Sequence, residues 1–134
     1  MATQCAPRPR SDLGAAAVDF VLVLAVVVPL FLGIVQVGLV LHVRNTLTSA
    51  ASEGARYAAR FDREPADGVA QTRSSIGQAV SARFARDVSA RRTTVGGAAG
   101  VQVDVVAEVP PLGLWGPAVR VQVSGHAVEE VPPG

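Results

Sequence analysis

The stretch Phe20–Leu41, FVLVLAVVVPLFLGIVQVGLVL, runs for 22 residues without a charge, and Gln36 is its only polar side chain. A helix rises 1.5 Å per residue, so this length extends about 33 Å, against about 30 Å for the hydrocarbon core of a bilayer. The competing assignment is a core helix of a soluble protein. It fails because the roughly 90 residues that follow are too few and too polar to wrap an apolar rod this long. Pro29 cannot donate to the carbonyl of Ala25 and predicts a kink, which membrane helices tolerate better than soluble ones.

Outward from this span the chain changes character on both sides. Residues 1–12 are polar, broken by Pro7 and Pro9, with Arg8 and Arg10 as their basic charges; from Leu13 to Val43 the only charge is Asp19. On the other side no helix-stop signal appears between Val43 and Arg60, so the helix is predicted to continue beyond the membrane. This extension carries two stripes of small residues at spacing four, Ala50, Gly54, Ala58 and Ala51, Ala55, Ala59. Such stripes let another backbone approach closely. The cluster Asp62, Glu64, Pro65, Asp67 and Gly68 then predicts a turn.

Val69 to about Val88 reads as a second, amphipathic helix, with Val69, Ile76, Ala79, Val80, Phe84 and Val88 on one face. Asp67 is its predicted N-cap, and Arg91 and Arg92 suit the negative end of its dipole. Gly96, Gly97 and Gly100 read as a flexible link. Val101, Val103, Val105, Ala107 and Val109 alternate with polar residues, as do Val119, Val121, Val123 and Ala127; this period of two predicts a β-hairpin with one buried face. Its loop, Pro110–Pro117, carries Leu114 and Trp115, and the hairpin must pack on the second helix or on a partner chain.

The whole chain, 134 residues with 49% hydrophobic but only 4% aromatic content, supports one small domain with a thin core of small side chains. Its 12 basic residues are all Arg and face 11 acidic ones, for a net charge of +1. That balance lacks the clustered basic excess of a nucleic-acid binder. Cys5 is the single cysteine, which excludes an intrachain disulfide and a cysteine-based metal site. No metal or cofactor site is expected.

At the mouth of the span stands Gly14-Ala15-Ala16-Ala17-Val18-Asp19-Phe20. This resembles the processing site of type IV prepilins and of the TadE-like family. In that family a membrane peptidase cuts after a glycine, an acidic residue stands fifth in the mature chain, and an aromatic or apolar residue follows. Counted from Ala15, Asp19 is fifth and Phe20 sixth. The resemblance continues through Pro29, Gly33 and Gly38 to Ser52-Glu53-Gly54-Ala55-Arg56-Tyr57-Ala58-Ala59, and so covers about residues 14–59. One departure stands out: the family usually has Glu where this chain has Asp19, whose carboxylate reaches one methylene less far.

The resemblance implies a TadE-like pseudopilin, or a minor subunit or assembly factor of a type IV-like pilus or secretion system. Its fold would be α+β and pilin-like: a long N-terminal transmembrane helix, then a small domain with an amphipathic helix and a β-hairpin. The expected organisation is a cytoplasmic leader at 1–14, the span at 15–43, helix extension and turn at 44–67, and an external domain at 68–134. Expected processing residues are Gly14, Ala15, Asp19 and Phe20, and expected helix-packing residues are Ala50, Gly54 and Ala58. Implied partners are the membrane, a prepilin peptidase and other pilin-like subunits. The implied location is the cytoplasmic membrane, N-terminus inside, or a surface filament. Charge does not orient the span, since Arg8 and Arg10 precede it while Arg44, Arg56 and Arg60 follow.

The physics of Asp19 stands apart from the family. A carboxylate at the edge of an apolar span costs up to about 3 kcal/mol and calls for a partner. Three other readings weaken on inspection. A secreted domain with a signal peptide conflicts with the length of the apolar run and with its continuation into helix. An enzyme finds little support, because His42 and His126 have no nearby His or Cys in sequence, and Ser74 and Ser75 have no partner at useful spacing. A membrane-anchored scaffold unrelated to pili would have no need of the Gly14–Phe20 motif.

Overall fold

The structure is a computed structural model that describes residues 11–82, 85–112, 116–132 and 134. Residues 1–10 with Cys5, and Phe84, Leu114 and Trp115, lie outside the described residues. The layout is α+β, in the order α1 (Ser11–Ala58), α2 (Pro65–Ala79), β1 (Ala85–Val95), β2 (Ala98–Val109) and β3 (Val119–Val128). The chain divides into an N-terminal unit ending at Val35 and a second unit, Gln36–Gly134.

The N-terminal unit contains the first half of α1, which continues through Pro29 without interruption. In the second unit the three strands form an antiparallel sheet in the order β1-β2-β3. The hairpin expected from the alternating valines is there, with Val105 opposite Val123 and Val103 opposite Gly125. On β2 the inward residues Val101, Val103, Val105, Ala107 and Val109 are fully buried. Burying one Val side chain contributes about 1.5–3 kcal/mol, so this row is the main apolar investment of the sheet. The same sheet face receives Val43, Leu47, Ala50, Ala51 and Ala55 of α1 and Ile76 of α2 in one cluster.

Two expectations are corrected. The second helix ends at Ala79, and Val88 belongs to a third strand, where it pairs with Val105. Arg91 and Arg92 therefore stand on β1, not at a helix terminus, and Gly100 is a strand residue opposite Thr93. Gly96 and Gly97 are the two central residues of a tight turn, with φ of 58° and 88°. Positive φ at both positions is the I′ geometry whose twist matches that of paired strands, and glycine adopts it without steric cost. The edge strand β1 also gives the thin hairpin a further partner, as a two-stranded ribbon needs.

The second correction concerns helix capping. Glu64 is the N-cap of α2 and Pro65 follows it, while Asp67 stands three residues in. The Glu64 backbone N–H donates to Asp67 Oδ2 at 2.9 Å, the reciprocal half of a capping box. On the outer sheet face Arg120 lies opposite Glu108 at 3.6 Å, and Arg91 reaches Asp104 at 3.8 Å. The cations in these pairs are exposed, so each pair adds at most about 1 kcal/mol.

Two glycines offer opposite tests of this packing. Gly125 faces the backbone of α1, and a Cβ built there would lie 2.7 Å from the Ala51 carbonyl oxygen. Gly125→Val is expected to destabilise Gln36–Gly134 by about 1–3 kcal/mol through overpacking. Gly77, in the interior of α2, has open space around its missing Cβ. Gly77→Ala is expected to stabilise by about 0.5–1 kcal/mol. Hydrogen exchange on β2 in detergent-solubilised protein reads both changes, and equal effects of the two substitutions would refute the packing described.

Candidate functional site: the mouth of the first helix and its small-residue collar

Gly14, Ala15, Asp19 and Phe20 all lie in α1 and are exposed. A Cβ added at Gly14 would meet nothing within 4 Å, so among the described residues the Gly14–Ala15 bond is uncovered. Ala15 and Asp19 stand four residues apart, one above the other on the helix surface. Among the described residues, no hydrogen bond or ion pair reaches Asp19.

From Phe20 to Val35 the apolar residues are exposed among the described residues. Phe20, Phe31 and Ile34 are each more than three-fifths exposed, and the most apolar window of the helix has none of its surface buried. An apolar surface of this extent is far larger than the few hundred Å² that soluble monomers leave in water. One helix of the described residues is thus long and apolar enough to anchor the chain in a membrane.

The predicted packing residues Ala50, Gly54 and Ala58 are buried, and the structure shows what covers them. α2 crosses α1 at a pair of glycines. A Cβ on Gly68 would come within 2.7 Å of both the Gly54 carbonyl oxygen and Ala58 Cβ, and one on Gly54 would overlap Thr72 Oγ1. Thr72 is fully buried, and its hydroxyl donates to the Gly68 carbonyl at 2.8 Å, with Ala50 O at 3.4 Å. The second stripe, Ala51, Ala55 and Ala59, is buried as well, and Glu130 N–H donates to Ala59 O at 2.8 Å just beyond the helix end.

Sequence reasoning missed Gly68, Thr72 and Gly125. The first two were legible as Gly68, Thr72 and Ile76 at a spacing of four, the one face of α2 that is fully buried. At the end of α1 the Tyr57 ring lies 4.7 Å from the Arg63 guanidinium and 5.5 Å from that of Arg60. His42 and His126 are exposed on different elements, and Ser75 donates to Glu53 at 3.3 Å. Among the described residues, no group of three His, Cys, Asp or Glu side chains stands ready for a metal.

The crossing of α1 and α2 yields a coupled test. Gly54→Ala is expected to cost about 1–3 kcal/mol, because Thr72 Oγ1 occupies the space of the new methyl. Thr72→Ala removes that obstruction, so in the double variant the two losses are expected to sum to less than their separate values. Hydrogen exchange across Pro65–Ala79 measures all four corners of the cycle, and strict additivity would show that the two residues do not meet.

The TadE-like protein family matches residues 14–56, a stretch that begins at Gly14, includes Asp19 and the whole apolar span, and ends within the collar. No curated relative and no solved structure matches the chain. The likeness to the TadE-like family is thus confined to residues 14–56, the exposed mouth, the uncovered span and most of the covered collar of α1.

Proposed function

We propose that the chain is a pseudopilin or minor subunit of a bacterial pilus or secretion system of the Tad type, cut by a prepilin peptidase between Gly14 and Ala15. The observation that carries this reading is where the TadE-like match begins: at Gly14, five residues before an acid and six before the uncovered span. In this reading residues 1–14 stay on the cytoplasmic side of the inner membrane, α1 spans it, and Gln36–Gly134 lies mainly outside. The chain performs no catalysis of its own. Its partners are the peptidase and neighbouring pilin-like subunits.

Cleavage alters the electrostatics at the mouth. It removes Arg8, Arg10 and Asp12, leaving ten basic and ten acidic side chains and no net charge, which suits close packing of like subunits. It also creates an ammonium on Ala15, one helical turn from Asp19. The carboxylate then faces a cation as well as the positive end of the helix dipole, which offsets its cost near hydrocarbon. A neighbouring subunit's ammonium supplies the same compensation and sets the axial register between chains.

Co-production with a prepilin peptidase, followed by intact-mass measurement, tests the cut. The expected product begins at Ala15, and an unchanged Met1 terminus would sink the proposal. Asp19→Ala is expected to leave membrane insertion intact while weakening recovery of partner subunits in a pull-down. Asp19→Glu is expected to preserve it. Equal recovery with all three chains would reduce Asp19 to an ordinary interfacial residue.

A further inference from the structure

The outer strands of the sheet each pair with β2 alone. Every second residue of β1 and of β3 therefore turns its backbone N–H and C=O away from β2. Antiparallel pairing on both sides of β2 makes β1 and β3 parallel to each other. Three contacts lay β3 along α1. Gln36 Nε2 donates at 3.3 Å to the carbonyl of Pro110, beside the Val109–Val119 pair; Gly125 meets Ala51; and Glu130 N–H donates to Ala59 O at 2.8 Å. The helix rises about 35 Å from Gln36 to Ala59, and an extended chain covers about 36 Å from Val119 to Glu130, so the two point the same way. Copies anchored by α1 in one membrane share that direction. Two copies of β3 can meet only antiparallel, which reverses one anchor, or with inner and outer sheet faces exchanged. β1 of one copy beside β3 of another keeps both direction and faces. We infer that copies of this chain join edge to edge, β3 of one receiving β1 of the next in parallel, with Arg120 beside Asp87.

Charge and side-chain pattern select this register. Asp87 is exposed, and among the described residues no hydrogen bond or ion pair reaches it. The Arg120 side chain is 74% exposed and touches Glu108 at 3.6 Å, and its guanidinium has donors left for a second carboxylate. Setting Arg120 beside Asp87 brings Gln122 beside Ser89, Ser124 beside Arg91 and Val128 beside Val95 on the outer face. On the inner face Val121 meets Val88, and Arg92 falls beside Gly125, which has no side chain to oppose it. Val128 is 52% exposed within one chain, and the pairing with Val95 covers it. The edge of β3 is also unprotected. Its ten residues contain no proline and pair one-to-one with β2, without a bulge. Such an edge is a template for strand addition, and opposite charges and matched apolar residues across strands set its partner. The bulge of β1 lies at its start, between Ala85 and Asp87, and leaves Asp87–Val95 regular. Within one chain Asp87 and Gln122 both lie opposite Val106, so this register displaces the next copy by two residues, about 7 Å along the strands. A head-to-tail contact with such a step builds a climbing row and not a flat ring.

The inference deepens the reading of the chain as a membrane-anchored subunit, and its test keeps the two apart. Two full-length chains with different tags, both Cys5→Ser, carry Gln122→Cys and Ser89→Cys respectively, at exposed outer-face positions. They are co-produced with a prepilin peptidase, and the membranes are oxidised with copper phenanthroline. Adjacent strands lie about 4.8 Å apart, within disulfide reach. A cross-linked pair bearing both tags is expected, in excess over pairs of two Gln122→Cys chains. Arg120→Glu in the first chain is expected to abolish the mixed pair, and Asp87→Arg in the second chain to restore it. The two changes sit on separate chains, so the Arg120–Glu108 contact within one chain cannot produce the rescue. Absence of the mixed pair, or equal yield from two Gln122→Cys chains, would overturn the edge contact. A loss that Asp87→Arg does not restore would overturn the pairing of Arg120 with Asp87. Intact mass on the same samples reads the cut. Chains that begin at Ala15 but give no mixed pair would overturn the edge contact and leave the proposed function standing. A mixed pair between uncut chains would support the edge contact and remove the processing step.

Discussion

Close approach of backbones around the second half of α1 governs the architecture of Gln36–Gly134. The Ala51 carbonyl sits where a Cβ of Gly125 would be, and Gly54 meets Gly68 and Thr72 in the same way. These contacts follow from composition. A core built from Val and Ala, in a chain with only 4% aromatic residues, cannot fill a wide gap between helix and sheet. Dispersion energy falls steeply once surfaces separate by even 1 Å, so small side chains contribute only if the layers sit close. Glycine at both crossings permits that distance, and the fully buried valines of β2 gain from it.

The same helix therefore answers to two solvents. Between Phe20 and Leu41 its side chains are mostly large and, as far as Val37, largely uncovered; between Val43 and Ala59 those facing the sheet or α2 are small, apart from Val43 and Leu47, and buried. Lipid rewards bulk and tolerates any apolar shape, whereas the sheet and α2 reward thinness. Gln36 lies near the changeover. A lone amide in an apolar run would be costly, and its two hydrogen bonds to the β2–β3 loop remove that cost.

The parts of the fold legible in sequence were those whose signal does not depend on tertiary context. Length and the absence of charge specify the span by arithmetic, and strict alternation specifies β2 and β3. Strand β1 was hidden because its inward residues are few: Val88 is buried and Ala90 partly so, while Arg91, Arg92, Thr93 and Thr94 show no period of two. Its clue was the pair Gly96-Gly97, which reads as a link until one asks which residues accept positive φ at two consecutive positions. Gly125 was silent for a related reason. A glycine at an inward strand position looks like a missing side chain, and only the helix pressed against it explains the omission. The expectation of processing at Gly14, Ala15, Asp19 and Phe20 rests on resemblance alone, and the structure adds the exposure of these residues but no partner among the described residues.

Burial of the collar also restricts how copies of α1 can meet. The stripes Ala50, Gly54, Ala58 and Ala51, Ala55, Ala59 have the spacing of a helix-association surface, yet they are occupied within the chain by α2, β3 and the C-terminal segment. A neighbouring helix cannot reach them without displacing buried surface that the thin domain needs. Open small residues on α1 include Gly33 and Gly38, where an added Cβ meets nothing within 4 Å. They lie on the apolar stretch, where dispersion and not hydrophobic exclusion drives helix pairing, and where close approach requires small residues. Within each chain the collar is therefore taken up in holding that chain's own domain.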